Sequence, residues 1–237
     1  MGASFVTFVA LSGLPRSGST LLSSILSQNP EVHAEGNSAV CQLMWDMQVS
    51  CQTTAAEQLA ATDRWDTQDA LIAAIPAIYY RDVTSTHIVD KCRSWTLPAN
   101  MDMLRRYICN QPKVIVLTRP IDEIVTSFVN LRRRNGWTSD LEAGLLDDGS
   151  EPIMRSLAGV ESAKASGSDE FLFVEYADLV DSTPDVLDAI YGFCGWEPFP
   201  HDLDRIENRH PENDAVYGLI GMHDVRPSIG RRNLSAI

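Results

Sequence analysis

Positive charge is scarce in this chain: 19 lysines and arginines stand against 32 aspartates and glutamates, for a formal net charge of −13. The long-range approach of a polyanion is therefore opposed, which argues against a nucleic-acid or anionic-membrane surface. Any anion the chain binds must be held by a local cluster of donors. Cysteine is sparse too, and Cys41, Cys51, Cys92, Cys109 and Cys194 are widely spaced with no CxxC pair. An odd, scattered set fits reduced thiols and a cytoplasmic location better than a disulfide framework. His87, His201, His210 and His223 show no metal-ligand spacing, so no metal is expected. No apolar run approaches the ~20 residues of a membrane span. The N-terminal stretch from Phe5 to Leu14 lacks a basic flank and runs into a Gly/Ser turn, so it reads as a buried strand and not a signal peptide.

With 237 residues and 44% apolar content, the expectation is one domain over residues 1–237 with a sizeable core. Four β-branched runs, at 5–11, 87–90, 113–118 and 171–175, are apolar on consecutive positions, as strands covered on both faces are. Helical patterns lie between them, and the alternation predicts an α/β fold with a mostly parallel sheet flanked by helices. After Arg119, Pro120 suits a first helical position, and Ile121, Ile124, Val125 and Phe128 repeat on one face. Thr183-Pro184 reads as a cap followed by a first-turn proline, with Gly195 ending that helix. A helical insertion is expected over about 37–80, with Thr67 as a cap and Pro76 as a break or kink. Gly136–Ser150 reads as a loop near the site, and about 198–237 as an irregular covering segment.

The first strand runs into Gly13-Leu14-Pro15-Arg16-Ser17-Gly18-Ser19-Thr20, followed at once by the helical pattern of Leu21, Leu22, Ile25 and Leu26. A strand, a glycine-rich turn and a helix N-terminus aim several backbone N–H groups into one concavity, and the helix dipole adds to their pull on a phosphate. The spacing is that of the phosphate-binding loop G-x-x-x-x-G-K-[ST], except that Ser19 stands where the lysine belongs. That lysine serves γ-phosphoryl transfer in nucleoside triphosphatases. Here Arg16 supplies the cation, Ser17, Ser19 and Thr20 supply hydroxyls, and the set suits a single 5′-phosphate with a group attached. The bland alternative is a serine-rich turn that merely caps a helix.

The strand at 113–118 ends at Arg119, with Ser127 eight residues on along the next helix. The carboxyl ends of strands are where open α/β sheets bind ligands, and this pair can share one anion. Two anion sites on one sheet imply a nucleoside with phosphates at both ends. On these residues the chain resembles the sulfotransferases that use 3′-phosphoadenosine-5′-phosphosulfate (PAPS), with a flavour of their tyrosylprotein and bacterial branch. Residues 13–22 are similar to that family's 5′-phosphosulfate loop, and Arg119 with Ser127 to its 3′-phosphate site. Residues 173–180, containing Tyr176, resemble its strand and tyrosine turn beside the nucleotide. The resemblance implies Pro15, Arg16, Ser17, Gly18, Ser19, Thr20, Arg119, Ser127 and Tyr176 as donor-binding residues.

It also implies an acceptor bearing a hydroxyl, with no nucleic acid and no membrane as partner. Sulfonyl transfer to an alcohol needs a base, positive charge at the leaving oxygen and in-line geometry. The family places an acidic base just beyond the first helix. Glu35 lies there, although the register counted from the loop falls on Asn37, and His33 is the other nearby proton acceptor. Lys91 ends the strand at 87–90 on the same sheet edge as Gly13 and Arg119, and the resemblance makes it the candidate for the leaving oxygen. Arg226, Arg231 and Arg232 are candidates for closing over the nucleotide. Two readings compete: a nucleotide or small-molecule kinase with a degenerate phosphate loop and Asp90 as metal ligand, and a non-catalytic nucleotide-binding module. The acceptor's identity and the oligomeric state are not legible.

Overall fold

The computed structural model describes residues 7–147 and 152–229. Along the chain run β1 (Thr7–Gly13), α1 (Ser19–Leu26), β2 (Val32–Ala34), α2 (Val40–Gln52), α3 (Ala56–Ala61), α4 (Asp66–Tyr79) and β3 (His87–Lys91). There follow α5 (Pro98–Met103), β4 (Lys113–Thr118), α6 (Ile121–Arg134), α7 (Met154–Ser166), β5 (Phe171–Glu175), α8 (Tyr176–Asp181) and α9 (Thr183–Cys194). From 195 to 229 the chain is irregular apart from a 3-10 turn at Asp214–Tyr217. Phe5 of the expected first strand, and Arg231 and Arg232, lie outside the described residues.

The five strands are ordered β2-β3-β1-β4-β5, and every pair is parallel. Strand alternation divides the apolar residues between two cores. Val9, Leu11, Ile115 and Leu117 face Leu22, Ile25, Leu187 and Ile190 of α1 and α9. Ala10, Val114 and Val116 face Met44, Ile72, Ile124, Phe128 and Val160 of α2, α4, α6 and α7. Both faces are covered, which is why the central strands are apolar on consecutive positions.

This order positions the site. The chain leaves β1 toward β2 on one side and leaves β4 toward β5 on the other, so the loops after β1 and β4 diverge at their carboxyl ends. That divergence opens the crevice where doubly covered sheets take ligands.

Local expectations shift in five places. Pro120 and Ser182 precede their helices as N-caps, each one residue off the reading, and Thr183 starts α9 with its hydroxyl on the Leu179 carbonyl at 2.6 Å. Thr67 is not a cap, because α4 begins at Asp66 after Trp65, with no side-chain cap. Pro76 does not break α4, which runs on to Tyr79 with the proline ring buried beside Ile72. Packing there outweighs the hydrogen bond that proline cannot donate. Finally, β2 went unread, since Val-His-Ala is too short to show a period. Gly195 ends α9 as expected, in the left-handed conformation at φ 70°.

Candidate active site

The phosphate loop is built by two close approaches. Leu14 donates its N–H to the Leu117 carbonyl at 2.8 Å, drawing the loop onto β4. Gly13 sits at φ +122°, and a Cβ placed there would stand 2.1 Å from that same oxygen. Gly18, at φ +93°, precedes α1, and a Cβ there would stand 2.9 Å from Leu179 and 3.0 Å from Tyr176. Only glycine meets both demands. No side chain caps α1, so its first-turn N–H groups face the concavity, as an anion site requires. Ser17 is fully buried with its hydroxyl donated to the Leu14 carbonyl, so that hydroxyl braces the loop and does not face the cleft. Ser19 and Thr20 line the cleft.

Arg16 and Arg119 join the loop after β1 and the end of β4 into one wall. Arg16 adopts the left-handed conformation at φ 57°, rare for a residue with a side chain. Its Nε donates to Ser127 Oγ at 3.2 Å and its Nη1 to the Met222 carbonyl. Arg119, 7% exposed, donates from Nη1 to the Arg16 carbonyl at 2.8 Å and from Nε to Glu123 at 3.0 Å. Its guanidinium lies 4.1 Å from the centre of the Tyr176 ring, a cation–π contact that fixes its plane. Lys91 ends β3, paired in register with Leu11 of β1, and is mostly buried. It lines the cleft with Arg93, Arg16, Arg119 and Arg226. A strongly acidic protein thus carries one concentrated cationic cleft, as its charge balance demands of any anion site.

The segment from 217 to 229 closes the cleft's far side with Tyr217, Met222, His223, Asp224, Val225, Arg226, Ser228 and Ile229. Asn37 lines the cleft too and donates to Tyr217 Oη at 3.1 Å.

Glu35 and His33 are not among the lining residues. They form a mutual pair, His33 Nε2 to Glu35 Oε1 at 2.8 Å, against the ring of His210 at 4.9 Å. The His33 hydrogen bond holds the Glu35 carboxyl below its usual range, against the opposing effect of burial. Asp90 points away from the cleft: it is fully buried and accepts hydrogen bonds from Ser38, from Tyr80 at 2.7 Å and from Trp95 Nε1 at 2.6 Å. Burial pushes its carboxyl up in spite of those three donors. A side chain so enclosed is not placed to hold a metal on a nucleotide, and the kinase reading loses its ligand.

The sequence reading singled out neither Arg93 nor Tyr217, and it gave His223 no role. Arg93 follows Lys91 by two residues, in the 3-10 turn after β3, a position the strand end alone could have suggested. Tyr217 ends a four-residue 3-10 turn and His223 lies on irregular chain, and neither stretch is long enough or regular enough for periodicity to give a signal.

A parallel sheet covered on both faces, with a phosphate-type loop at one carboxyl end and an arginine–serine pair at the next, defines an α/β protein of the phosphate-loop type. The profile of the Sulfotransferase family matches residues 9–201. The chain belongs to that family. Among solved structures it is similar to the sulfotransferase domain of the Synechococcus PCC 7002 olefin synthase, at 24% identity and a TM-score of 0.56 over 81% of this chain and 74% of that one. It is also similar to the sulfotransferase domain of the curacin biosynthetic pathway, at 18% identity and a TM-score of 0.53 over 86% and 78%. These likenesses agree with the fold. No curated protein matches the chain. Among the described residues, no helix is long and apolar enough to cross a membrane.

Proposed function

We propose that the chain moves the sulfonyl group of PAPS to an acceptor hydroxyl by in-line attack, with the whole of residues 1–237 serving as one sulfotransferase domain. The observation that carries this reading is the shared wall of the cleft. A phosphate loop without its lysine is tied, through Arg119 and the Arg16 carbonyl, to an arginine–serine pair one strand away. The loop N–H groups, Arg16, Ser19 and Thr20 would hold the 5′-phosphosulfate. Arg119 and Ser127 would hold the 3′-phosphate, and Tyr176 fixes the arginine's plane. In sulfonyl transfer the sulfur–oxygen bond to the 5′-phosphate breaks as the acceptor oxygen attacks, so negative charge grows on the leaving phosphate oxygen. Lys91, mostly buried at the end of β3 and in the cleft lining, would bring positive charge to that oxygen, where a preorganised charge acts in the transition state.

The buried, triply bonded Asp90 weighs against the kinase alternative. The test is a thermal-shift comparison. PAPS or 3′-phosphoadenosine-5′-phosphate should raise Tm, by linkage worth about 2.7 kcal/mol at a hundredfold excess over Kd. ATP with Mg²⁺ should raise it much less. Equal or greater stabilisation by ATP·Mg²⁺ would return the kinase reading.

A further inference from the structure

We infer that His223, oriented by Asp214, is the general base that takes the acceptor's proton; this rests on the sulfonyl-transfer reading and names its base. The lining of the cleft narrows the choice. Its arginines and Lys91 donate protons, and a phenol ordinarily keeps its own at neutral pH. Asp224 and His223 remain as proton acceptors. Imidazole is the side chain whose unperturbed pKa lies nearest neutrality, which suits it to moving a proton there.

The geometry around His223 is that of a held base. Its Nδ1 donates to Asp214 Oδ1 at 2.6 Å, and its backbone N–H donates to Asp214 Oδ2 at 3.2 Å. An ionised carboxylate only accepts, so Nδ1 carries the proton and Nε2 is the nitrogen left to receive one. Glu212 Oε1 lies 3.6 Å from Nε2, beyond hydrogen-bond range. That oxygen is buried and makes no hydrogen bond to the described residues. A carboxylate oxygen so placed gains a partner when Nε2 becomes protonated. Asp214 is held below its usual range: burial works against its charge, but the two bonds from His223 outweigh it. The mount is fixed as well, since Tyr217 Oη accepts from Asn37, donates to Glu212 Oε2 at 3.4 Å, and its ring stands 5.5 Å from the His223 ring. Asn37 itself, an amide, cannot serve as a base. It anchors the segment that brings one.

In the step, the acceptor's O–H bond breaks and its proton goes to Nε2. The freed oxygen pair forms the new bond to sulfur, and the bond from sulfur to the 5′-phosphate breaks with its pair on the phosphate oxygen. The imidazolium, flanked by Asp214 and Glu212, then releases its proton to solvent. Nothing is oxidised or reduced.

The experiment follows sulfate release from radiolabelled PAPS, with water as acceptor, and sulfonyl transfer to a short-chain alcohol, each as kcat against pH. The charges at the imidazole are Asp214 and Glu212, with Asp224 and Arg226 on its own segment, Lys91 elsewhere in the cleft lining and Tyr217 beside it. A base must be unprotonated to act, so wild-type kcat should rise as pH is raised from acid. His223→Gln should lower kcat by about 10²-fold or more and flatten that rise, with affinity for 3′-phosphoadenosine-5′-phosphate unchanged. Asp214→Asn removes a negative charge that favours the imidazolium, so the rise should move to lower pH with reduced kcat. A His223→Gln profile that keeps its rise overturns the inference, whether or not the variant is less stable. So does removal of the rise by Glu35→Gln or Asp224→Asn. If wild type binds 3′-phosphoadenosine-5′-phosphate yet consumes no PAPS with either acceptor, the transfer reading itself fails and the inference falls with it.

Discussion

Replacing Arg119 by alanine should weaken a ligand with a 3′-phosphate more than one without it, and the structure sets how much of each loss to expect. The guanidinium has two duties. One nitrogen holds the Arg16 carbonyl at 2.8 Å, and thereby the phosphate loop itself. Its stacking on the Tyr176 ring at 4.1 Å holds the charge in the cleft lining. Removing the side chain therefore costs a loop brace, about 0.5–1.5 kcal/mol for a neutral acceptor, and this loss is shared by every ligand of the loop. It also costs a charge-assisted bond to the 3′-phosphate, about 1.5–3 kcal/mol, or roughly 10- to 150-fold in Kd. Titration calorimetry with 3′-phosphoadenosine-5′-phosphate and with adenosine-5′-phosphosulfate separates the two. Both should weaken in Arg119→Ala, and the first should weaken further by that factor. Ser127→Ala, which leaves that brace in place but removes the hydroxyl that accepts from Arg16 Nε, should weaken the ligand with the 3′-phosphate more than the one without it. Equal losses for both ligands in Arg119→Ala would show that the arginine supports the fold and meets no 3′-phosphate.

Three further outcomes follow. Lys91→Ala should lower kcat by about 10²- to 10³-fold with little change in donor affinity, if its charge acts on the leaving oxygen; an equal loss of affinity measured by calorimetry would make it a ground-state contact. Gly18→Ala puts a Cβ at φ +93° within 2.9 Å of Leu179 and should cost at least about 1 kcal/mol of stability, read as lower Tm and weaker donor binding; a variant as stable as wild type refutes the constraint. Glu35, whose folded carboxyl titrates below its usual range because of His33, contributes stability that is complete above the unfolded pKa and lost as pH falls through the folded one. Urea denaturation at pH 7 and in acid should show Glu35→Gln less stable only at the higher pH, and an unchanged pH dependence would sink that account.

Where a residue's position follows from its place along a strand or helix, the sequence carried it. The consecutive apolar positions of 113–118 predict a strand covered on both faces, and β4 has those bounds. The glycines at 13 and 18 predict a turn between strand and helix, and their positive φ angles follow from contacts with β4 and α8. That Arg119 and Ser127 line one cleft follows for the same reason: a strand end and a helix position eight residues on have nearly fixed places in space. What no local pattern encodes is which partner a side chain finds. Ser17 reads as a ligand donor in one dimension and turns inward to the Leu14 carbonyl in three. Asp90 imitates a metal-binding strand end until Tyr80 and Trp95 enclose it.

The same distinction bears on where a proton acceptor is sought along the chain. Glu35 and His33 lie on and just after β2, near the sheet edge that carries the loop, and proximity along the chain makes them natural candidates. In space each satisfies the other, and a carboxylate already held by a histidine is a weaker base for an acceptor proton. His223 lies some two hundred residues from the phosphate loop, on a segment without helical or strand periodicity. It reaches the cleft through long-range contacts: the Met222 carbonyl on Arg16, Tyr217 on Asn37, the Ile220 N–H and carbonyl on the Asn135 side chain, and the packing of Met222, Val225 and Ile229 against the two cores. Those bonds tie the covering segment to the phosphate loop, to the residues after β2 and to the end of α6. A change that loosens any one of them should displace the imidazole without touching it. Asn135→Ala, remote from the cleft lining, tests this: kcat should fall while affinity for 3′-phosphoadenosine-5′-phosphate holds, and full activity in that variant would mean the segment is placed by its other contacts.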